Sequence, residues 1–353
     1  MNEAGTILAE ERIDHAFPER FAELIGKHTP AQVAFEATMN WGWLHEILEA
    51  IAGIERIVMA NPLHVRLIAA AQVKTDKVDA RKLANSPFSE PSPHIPDRAT
   101  RMRKEVLRQR TFWVRERTKV RNRIHRLLGR QHGLAMPQVS DLFGKKGKAA
   151  LNKLVLAAPD DLLLRQQLEM LDCLERHIRE LDEKIALEGK GDEAVGRLSS
   201  IPGIGPILGN VIATEIDGIE RFGLSEQLSA YAGLIPTTSS SGDKTYHGRL
   251  VSGCNKWLRW ALVEAAWVAV GCDAYWRPLS PSSPLAREEG QHSDHDHRAA
   301  DVSDHLLRAS REASLSGAPV ESECPRLLSS KTDGARRISG DAGVLGQSRE
   351  PGI

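Results

Sequence analysis

Hydrophobic and polar positions alternate along the first 84 residues in a way that predicts strands and helices in turn. Proline after Asn61 favours a helix start there. The predicted strands cover residues 5–13, 32–36 and 54–60. One helix is predicted over residues 41–52, and two more are predicted to begin near Asn61 and near Thr75. This alternation predicts an α/β domain with a partly parallel sheet.

A long helical pattern follows a segment with four prolines, residues 85–97, which is typical of a linker. Apolar residues recur at spacings of three, four and seven through residues 98–130 and predict one long helix with a single buried face. A second stripe, LLLRQQLEMLDCLERHIRELDEKI, predicts a helix that folds back on the first as an antiparallel coiled pair.

The pattern divides the chain into segments of different character. Residues 197–276 predict a compact, mostly helical unit, whereas no aromatic residue follows Trp276 and the serine-rich remainder predicts a disordered tail. The expected organisation is an α/β domain over 1–84, a linker over 85–97, basic coiled-coil helices over 98–190, a helical domain over 197–276 and a tail over 277–353.

Composition excludes several classes of protein. The 353 residues are 41% hydrophobic and 27% charged, which argues against a wholly disordered or fibrous chain. There is no apolar run long enough to span a membrane and no signal-peptide pattern at the start. The four cysteines are widely spaced, which argues against a disulfide scaffold or a zinc site and predicts a cytoplasmic protein.

The formal net charge of +0 hides a strongly basic segment. Residues 98–130 contain 13 Lys or Arg and two Glu, a local balance of +11. Such a helix repels itself unless a counter-charge is near, and a nucleic-acid backbone supplies one. The alternative is a solvated helix face. The candidate nucleic-acid contacts on this helix are Arg103, Arg110, Arg117, Arg121, Arg123 and Arg126.

Three carboxylates could form a metal site. Asp76 and Asp79 lie three apart on one predicted helix, and Glu36 ends a predicted strand. Such a set can hold two Mg²⁺ ions about 4 Å apart for phosphodiester chemistry. The alternative is that Asp76 and Glu36 cap helices and that Asp79 is a surface acid.

Residues 198–216, LSSIPGIGPILGNVIATEI, match a helix-hairpin-helix pattern. Gly203 and Gly205 would allow a tight turn whose backbone N–H groups hold a phosphate. A plain helical hairpin that serves packing is the alternative.

Residues 237–267 contain a serine next to glycine, Ser241-Gly242, in a predicted polar loop. With the cations Lys244, Arg249 and Arg259 nearby, this serine could attack a phosphate. A flexible loop that only contacts phosphate is the alternative.

Together these motifs resemble a known family. FEAT, ANP and KTDKVDARKLA are similar to the N-terminal domain of DEDD transposases of the insertion-sequence-110 family, and IPGIGP, IDGIERF and YAGLIP resemble their C-terminal domain. The resemblance implies a DNA recombinase with a ribonuclease-H-like domain, a coiled-coil domain and a serine-bearing domain. It also implies Mg²⁺ at Glu36, Asp76 and Asp79, and a nucleophile at Ser241, with Ser239 and Ser240 as neighbouring candidates.

The same resemblance implies DNA and a structured non-coding guide RNA as partners, and a homo-oligomer, dimer or tetramer, with no membrane association. Two departures from the family pattern predict an impaired copy: the first strand with its acid is missing, and the segment after Trp276 differs. Asp14 is a poor substitute for that acid. A Holliday-junction-type nuclease and a non-catalytic nucleic-acid-binding relic are the alternative functions.

Overall fold

A computed structural model gives the architecture of the chain. It describes residues 2, 6–37, 41–60, 93–134, 136–241 and 244–272, with the side chains of residues 239–241 and 244–247 left out. The chain divides into two compact units, Met1–Asp97 and Arg98–Ile353. Within the described residues the protein is mostly helical with two small sheets, which is compatible with an α/β plus α fold.

The first unit is built on a parallel strand pair connected by a helix. Its elements are α1 (Glu19–Gly26), β1 (Ala31–Glu36), α2 (Trp41–Ala50) and β2 (Ile54–Ala60). Strand β1 pairs in parallel with β2, so α2 forms the crossover that parallel strands require. Phe35, Leu48 and Met59 are the buried centre of this unit among the described residues.

Two of the predicted strands, 32–36 and 54–60, and the helix over 41–52 are confirmed. The strand predicted at 5–13 is wrong for the described residues 6–13, which have no regular structure. Ile7 and Leu8 are about half exposed there, so this apolar pattern faces no partner strand and gains no burial. Helix α1 was not predicted, and the helices predicted near Asn61 and Thr75 lie outside the described residues.

The second unit begins with two long antiparallel helices. Helix α3 (Arg98–Gly129) and helix α5 (Asp160–Gly189) pack along their lengths. Helix α4 (Lys145–Lys153) packs where the end of α3 lies beside the start of α5. Ile124, Leu151, Leu164 and Leu171 are fully buried in this core. The predicted basic helix and its antiparallel partner are therefore confirmed.

The remaining elements form a helical layer with one hairpin. They are α6 (Glu193–Ser199), α7 (Pro206–Ile216), a 3₁₀ turn (Ile219–Arg221), α8 (Ser225–Ala232), β3 (Pro236–Ser241), β4 (Lys244–Leu250) and α9 (Lys256–Cys272). Helix α9 carries the most buried face, with Leu258, Ala261, Leu262 and Ala265 inaccessible to solvent.

The core of this layer also contains Leu107 of α3 and Ile185 of α5. Through these two residues the segments predicted as separate units, 98–190 and 197–276, share a hydrophobic cluster and lie in one compact unit, while the α4 end of the helix pair has a cluster of its own. None of the helices in the described part of the chain combines the length and apolarity that a bilayer crossing requires.

Candidate functional site

Glu36 is the one predicted metal ligand that the structure describes. It is the last residue of β1, half-buried, and its register partner on the parallel strand β2 is Ala60. Among the described residues its carboxylate has no hydrogen-bond or ion-pair partner. Asp76 and Asp79 lie outside the described residues, so the three-carboxylate site stays a prediction.

The predicted serine loop is a β-hairpin. Strand β3 pairs antiparallel with β4, and Ser241 is paired with Lys244, so Ser241 is the last residue of β3 before a two-residue tip. Ser240 faces Thr245 and Ser239 faces Tyr246 across the ladder. The predicted polar loop is therefore replaced by paired strands over residues 236–241 and 244–250, while the roles of Ser241 and Lys244 stay predictions.

The base of this hairpin is held by Arg259 of α9. Its Nε donates to the carbonyl oxygen of Ala232 at 3.2 Å, and its Nη2 donates to those of Gly233, at 2.6 Å, and Val251. Gly233 precedes β3 and Val251 follows β4. Arg259 was predicted as a phosphate contact, but its donors are directed at backbone carbonyl groups of its own chain. Arg249 on β4 is exposed.

Asn255 fixes the start of α9 beside this clamp. Its Oδ1 accepts from the N–H groups of Trp257 and Leu258, as an N-cap residue does. Its Nδ2 donates to Glu215 Oε2 at 2.9 Å and to the Tyr231 hydroxyl at 3.1 Å. An asparagine directly before an apolar helix is the sequence signal that could have identified this cap.

Glu215 is a buried carboxylate that the sequence reasoning missed. It lies on α7, 3.2 Å from Lys104 Nζ and 3.6 Å from Arg108 Nη2, both on α3. The side chains of Glu215 and Lys104 are only 7% and 11% exposed. A single carboxylate within the apolar segment VIATEI was the available signal, because a buried charge needs a partner.

The turn between α6 and α7 has the predicted helix-hairpin-helix form, but packing accounts for its first glycine. Gly203 has a φ of +91°, and a Cβ there would overlap the carbonyl oxygen of Ala265 on α9. Gly205 is exposed and directly precedes Pro206 at the start of α7. The alternative of a packing hairpin is therefore supported for Gly203, and phosphate binding at Gly205 stays a prediction.

Three of the predicted nucleic-acid contacts on α3 have acidic partners inside the protein. Arg103 donates to Asp192 at 2.9 Å and to Asn210 at 3.1 Å. Arg110 pairs with Asp182, and Arg121 pairs with Glu175 at 3.0 Å. Arg121 also lies over the ring of Phe143. These contacts hold α3 against its neighbours and occupy donors that were expected to face phosphate.

The counter-charge that α3 requires is thus partly supplied by α5. Helix α5 contains nine Asp or Glu and four Lys or Arg. Its first turn is held by Asp161, which accepts hydrogen bonds from the N–H of Leu156 and the guanidinium of Arg165. These two contacts lower the pKa of Asp161. The inference that the charge of α3 calls for a nucleic acid is therefore too strong for the helix as a whole.

The other predicted contacts on α3 differ in exposure. Arg123 and Arg126 are exposed, and within the described residues neither has an acidic partner. Arg117 is half-buried, and burial together with the neighbouring Arg121 lowers the pKa of its guanidinium. The cations open to a ligand are therefore concentrated in the second half of α3.

Comparison with known proteins assigns both units to one kind of protein. A DEDD transposase model of the IS110 type matches residues 1–132. The model described as the transposase IS116/IS110/IS902 family matches residues 195–280. Together the two models match more than half of the chain.

Individual relatives agree with this assignment. A probable family 20 transposase of Pseudomonas aeruginosa is 29% identical over 60% of this chain and 65% of its own length. The transposase for insertion sequence element IS1328 of Yersinia enterocolitica is 27% identical over 60% of this chain and 63% of its own length. The transposase for insertion sequence element IS1111A of Coxiella burnetii is 26% identical over 59% of this chain and 58% of its own length. The chain thus spans about three-fifths of the length of these relatives.

The matched segments place the chain in the transposase class. Within that class, the chain belongs to the IS110/IS116 family of insertion-sequence transposases.

Proposed function

We propose that the protein is a site-specific DNA recombinase that transposes an insertion sequence and is guided by a structured non-coding RNA. The observation that carries the proposal is the match of both units to transposase models of one family, with Ser241 at the tip of a projecting hairpin. The relatives named as transposases of insertion sequences support the same reaction.

The serine chemistry is a transesterification. The Ser241 hydroxyl oxygen attacks a DNA phosphorus, so an oxygen–phosphorus bond to the protein forms and the bond from phosphorus to one deoxyribose oxygen breaks. The proton lost by serine passes to the departing oxygen. Attack by a hydroxyl of another DNA end reverses the step and joins new strands, so no oxidant or external energy source is needed.

The acidic site belongs to a proposed ribonuclease-H-like domain. The parallel β1–α2–β2 arrangement is compatible with that fold. The Glu36 carboxylate, which has no ion-pair partner among the described residues, is an oxygen ligand of the kind Mg²⁺ prefers. Glu36, Asp76 and Asp79 would hold the ion. When bound, Mg²⁺ offsets the negative charge of the phosphate. Glu36 would orient that ion from the end of β1.

The nucleic acids would be bound by cations that have no acidic partner within the described residues. Arg123 and Arg126 on α3 and Arg249 on β4 are exposed and fit this role. Cations of this kind attract phosphates of DNA and RNA alike. A dimer or tetramer would bring two DNA ends to one assembly.

The test uses the full chain, DNA with the ends of its insertion sequence, the transcript of the adjacent non-coding segment, and Mg²⁺. We expect a covalent protein–DNA adduct on a denaturing gel. Ser241→Ala should abolish the adduct while DNA affinity stays within about twofold, because removal of one hydroxyl leaves the cations in place. Ser239→Ala and Ser240→Ala are the matched controls and should keep the adduct.

Other outcomes would contradict the proposal. Mg²⁺-dependent cleavage that survives Ser241→Ala and leaves no adduct would identify a Holliday-junction-type nuclease. Nucleic-acid binding without cleavage or adduct would identify a non-catalytic relic. Loss of the adduct in the Ser240 variant alone would move the nucleophile by one residue.

A further inference from the structure

Among the described side chains, those that attach the β3–β4 hairpin to the core of the unit lie at its base. Leu234 is buried just before β3, and Leu250, the last residue of β4, packs partly against the same core. Beyond that level Thr237, Thr238 and Gly248 are exposed. Strand β3 therefore leaves the core soon after it begins, and β4 reaches the core only at its end. The position of the tip depends on how firmly this base is fixed.

Arg259 connects both strands at this base. One guanidinium donates to carbonyl oxygens on the entering side, at Ala232 and Gly233, and on the leaving side, at Val251. The Val251 N–H in turn donates to the carbonyl oxygen of Ile235 at 3.1 Å, which closes the pair of strands. A charged donor shared by three carbonyl groups is a strong and directional anchor.

The surrounding residues are arranged to admit this guanidinium. Gly233 has a φ of +69°, and a Cβ there would overlap Arg259 Nη2 and the Cys254 side chain. Arg259 lies one helical turn after the N-cap Asn255, and its N–H donates to the Asn255 carbonyl oxygen at 3.0 Å. Arg259 is therefore fixed at both its backbone and its head group.

We propose that Arg259 is a positioning residue for the serine of the reaction: it clamps the base of the hairpin and so sets where Ser241 meets DNA. This inference rests on the proposed function of Ser241. Five residue steps separate Pro236 from Ser241, or about 17 Å at the rise of a strand, so a swing of about 10° at the base moves the tip by about 3 Å. A displacement of about 1 Å can cost a hundredfold in rate.

The clamp and a phosphate contact predict different effects of Arg259→Lys. Lysine keeps the charge but cannot reach three carbonyl groups with a planar fork, so a clamp fails while a phosphate contact largely survives. We expect Arg259→Lys and Arg259→Ala to increase amide exchange at Val251 and along the β3–β4 ladder by about tenfold or more. Adduct formation should fall about tenfold to a hundredfold, with the salt dependence of DNA affinity unchanged.

Lys256→Ala is the matched control, because it removes an exposed cation from the same helix without touching the hairpin. It should leave exchange and adduct formation as in the unmodified chain. Unchanged hairpin exchange in both Arg259 variants would overturn the clamp, and so would full adduct formation by Arg259→Lys.

Hydrogen exchange also separates this inference from the proposed function. If the unmodified chain forms no adduct, the serine chemistry fails, and so does the positioning role that rests on it. Exchange at the base then still shows whether Arg259 fixes the hairpin. If Arg259→Ala unfolds the unit, amide exchange in Arg259→Lys, which retains the aliphatic stem and the charge, decides whether Arg259 fixes the hairpin.

Discussion

At the scale of single residues, Glu215 connects three elements of the second unit. Its carboxylate receives Lys104 and Arg108 from α3 and Asn255 from the start of α9. Among the residues that the structure describes, it is the one buried carboxylate. Removal of a single member of such a group leaves a buried charge without compensation, and this costs more than the pair contributes.

Glu215→Gln should lower the free energy of unfolding by about 3 kcal/mol, because Lys104 keeps its charge in a buried place without a carboxylate. Denaturant titration followed by circular dichroism measures this loss. The control is Glu264→Gln on the exposed side of α9, which should change stability by less than about 0.5 kcal/mol. Equal effects of the two variants would show that Glu215 is not a buried member of a charge network.

Single residues were predictable when the chemistry was local. Ser241 is proposed from its neighbouring glycine and stays a prediction, and Asn255 could have been recognised as a cap. Arg259 could not, because the carbonyl groups that it binds come from residues 232, 233 and 251, and only the fold brings these together. Its charge suggested a phosphate, which was the simplest partner that the sequence offered.

At the scale of elements, the charge of α3 is divided between two functions. Its first half uses Arg103, Lys104 and Arg110 to bind neighbouring elements through ion pairs. Its second half exposes Arg123 and Arg126. Ion pairs that already exist in the free protein release few counterions on binding, so only the second half should contribute to the salt dependence of nucleic-acid affinity.

Arg126→Ala should therefore reduce the slope of log affinity against log salt concentration by about 0.9, the value for one lost phosphate contact on duplex DNA. Arg110→Ala is the comparison, since Asp182 already neutralises Arg110, and it should leave the slope unchanged. Fluorescence anisotropy with labelled duplex DNA at several salt concentrations measures both. The same decrease in the two variants would show that internal pairing does not withhold Arg110 from DNA.

The elements themselves were predictable where the periodicity was long. Helices α3 and α5 follow from apolar stripes of about 30 residues, and strands β1 and β2 from compact apolar segments. The hairpin β3–β4 was missed because TTSSSGDKTYHG has no apolar alternation. Its Gly-Asp pair, flanked by Ser, Thr and Tyr, is nevertheless a turn signal for a two-residue hairpin.

At the scale of the whole molecule, the chain contains two units with separate cores. The described core of the first surrounds Phe35, Leu48 and Met59, and the second contains two clusters, one at the α4 end of the helix pair and one that extends from α3 to α9. Sequence periodicity suggested a further division after residue 190. Leu107 of α3 and Ile185 of α5 cross that boundary, because they pack in the cluster of the helical layer.

Thermal unfolding should consequently show two transitions, since chains with several units rarely unfold in one step. Leu48→Ala should lower one transition and Leu262→Ala the other, because each removes a fully buried side chain at a cost of about 2–5 kcal/mol. Differential scanning calorimetry of the full chain and both variants measures this. A single transition shifted equally by the two substitutions would show that the cores unfold as one.

The pairing of α3 with α5 also governs how the protein can be dissected. A peptide limited to residues 98–130 would retain 13 cations and two carboxylates and would adhere to any polyanion, whatever its sequence or shape. Its affinity would reflect the removal of α5 rather than a property of the protein. A fragment whose selectivity among nucleic acids carries information about the intact chain must therefore retain α5 and also α7, because Asp192 and Glu215 pair with cations of α3.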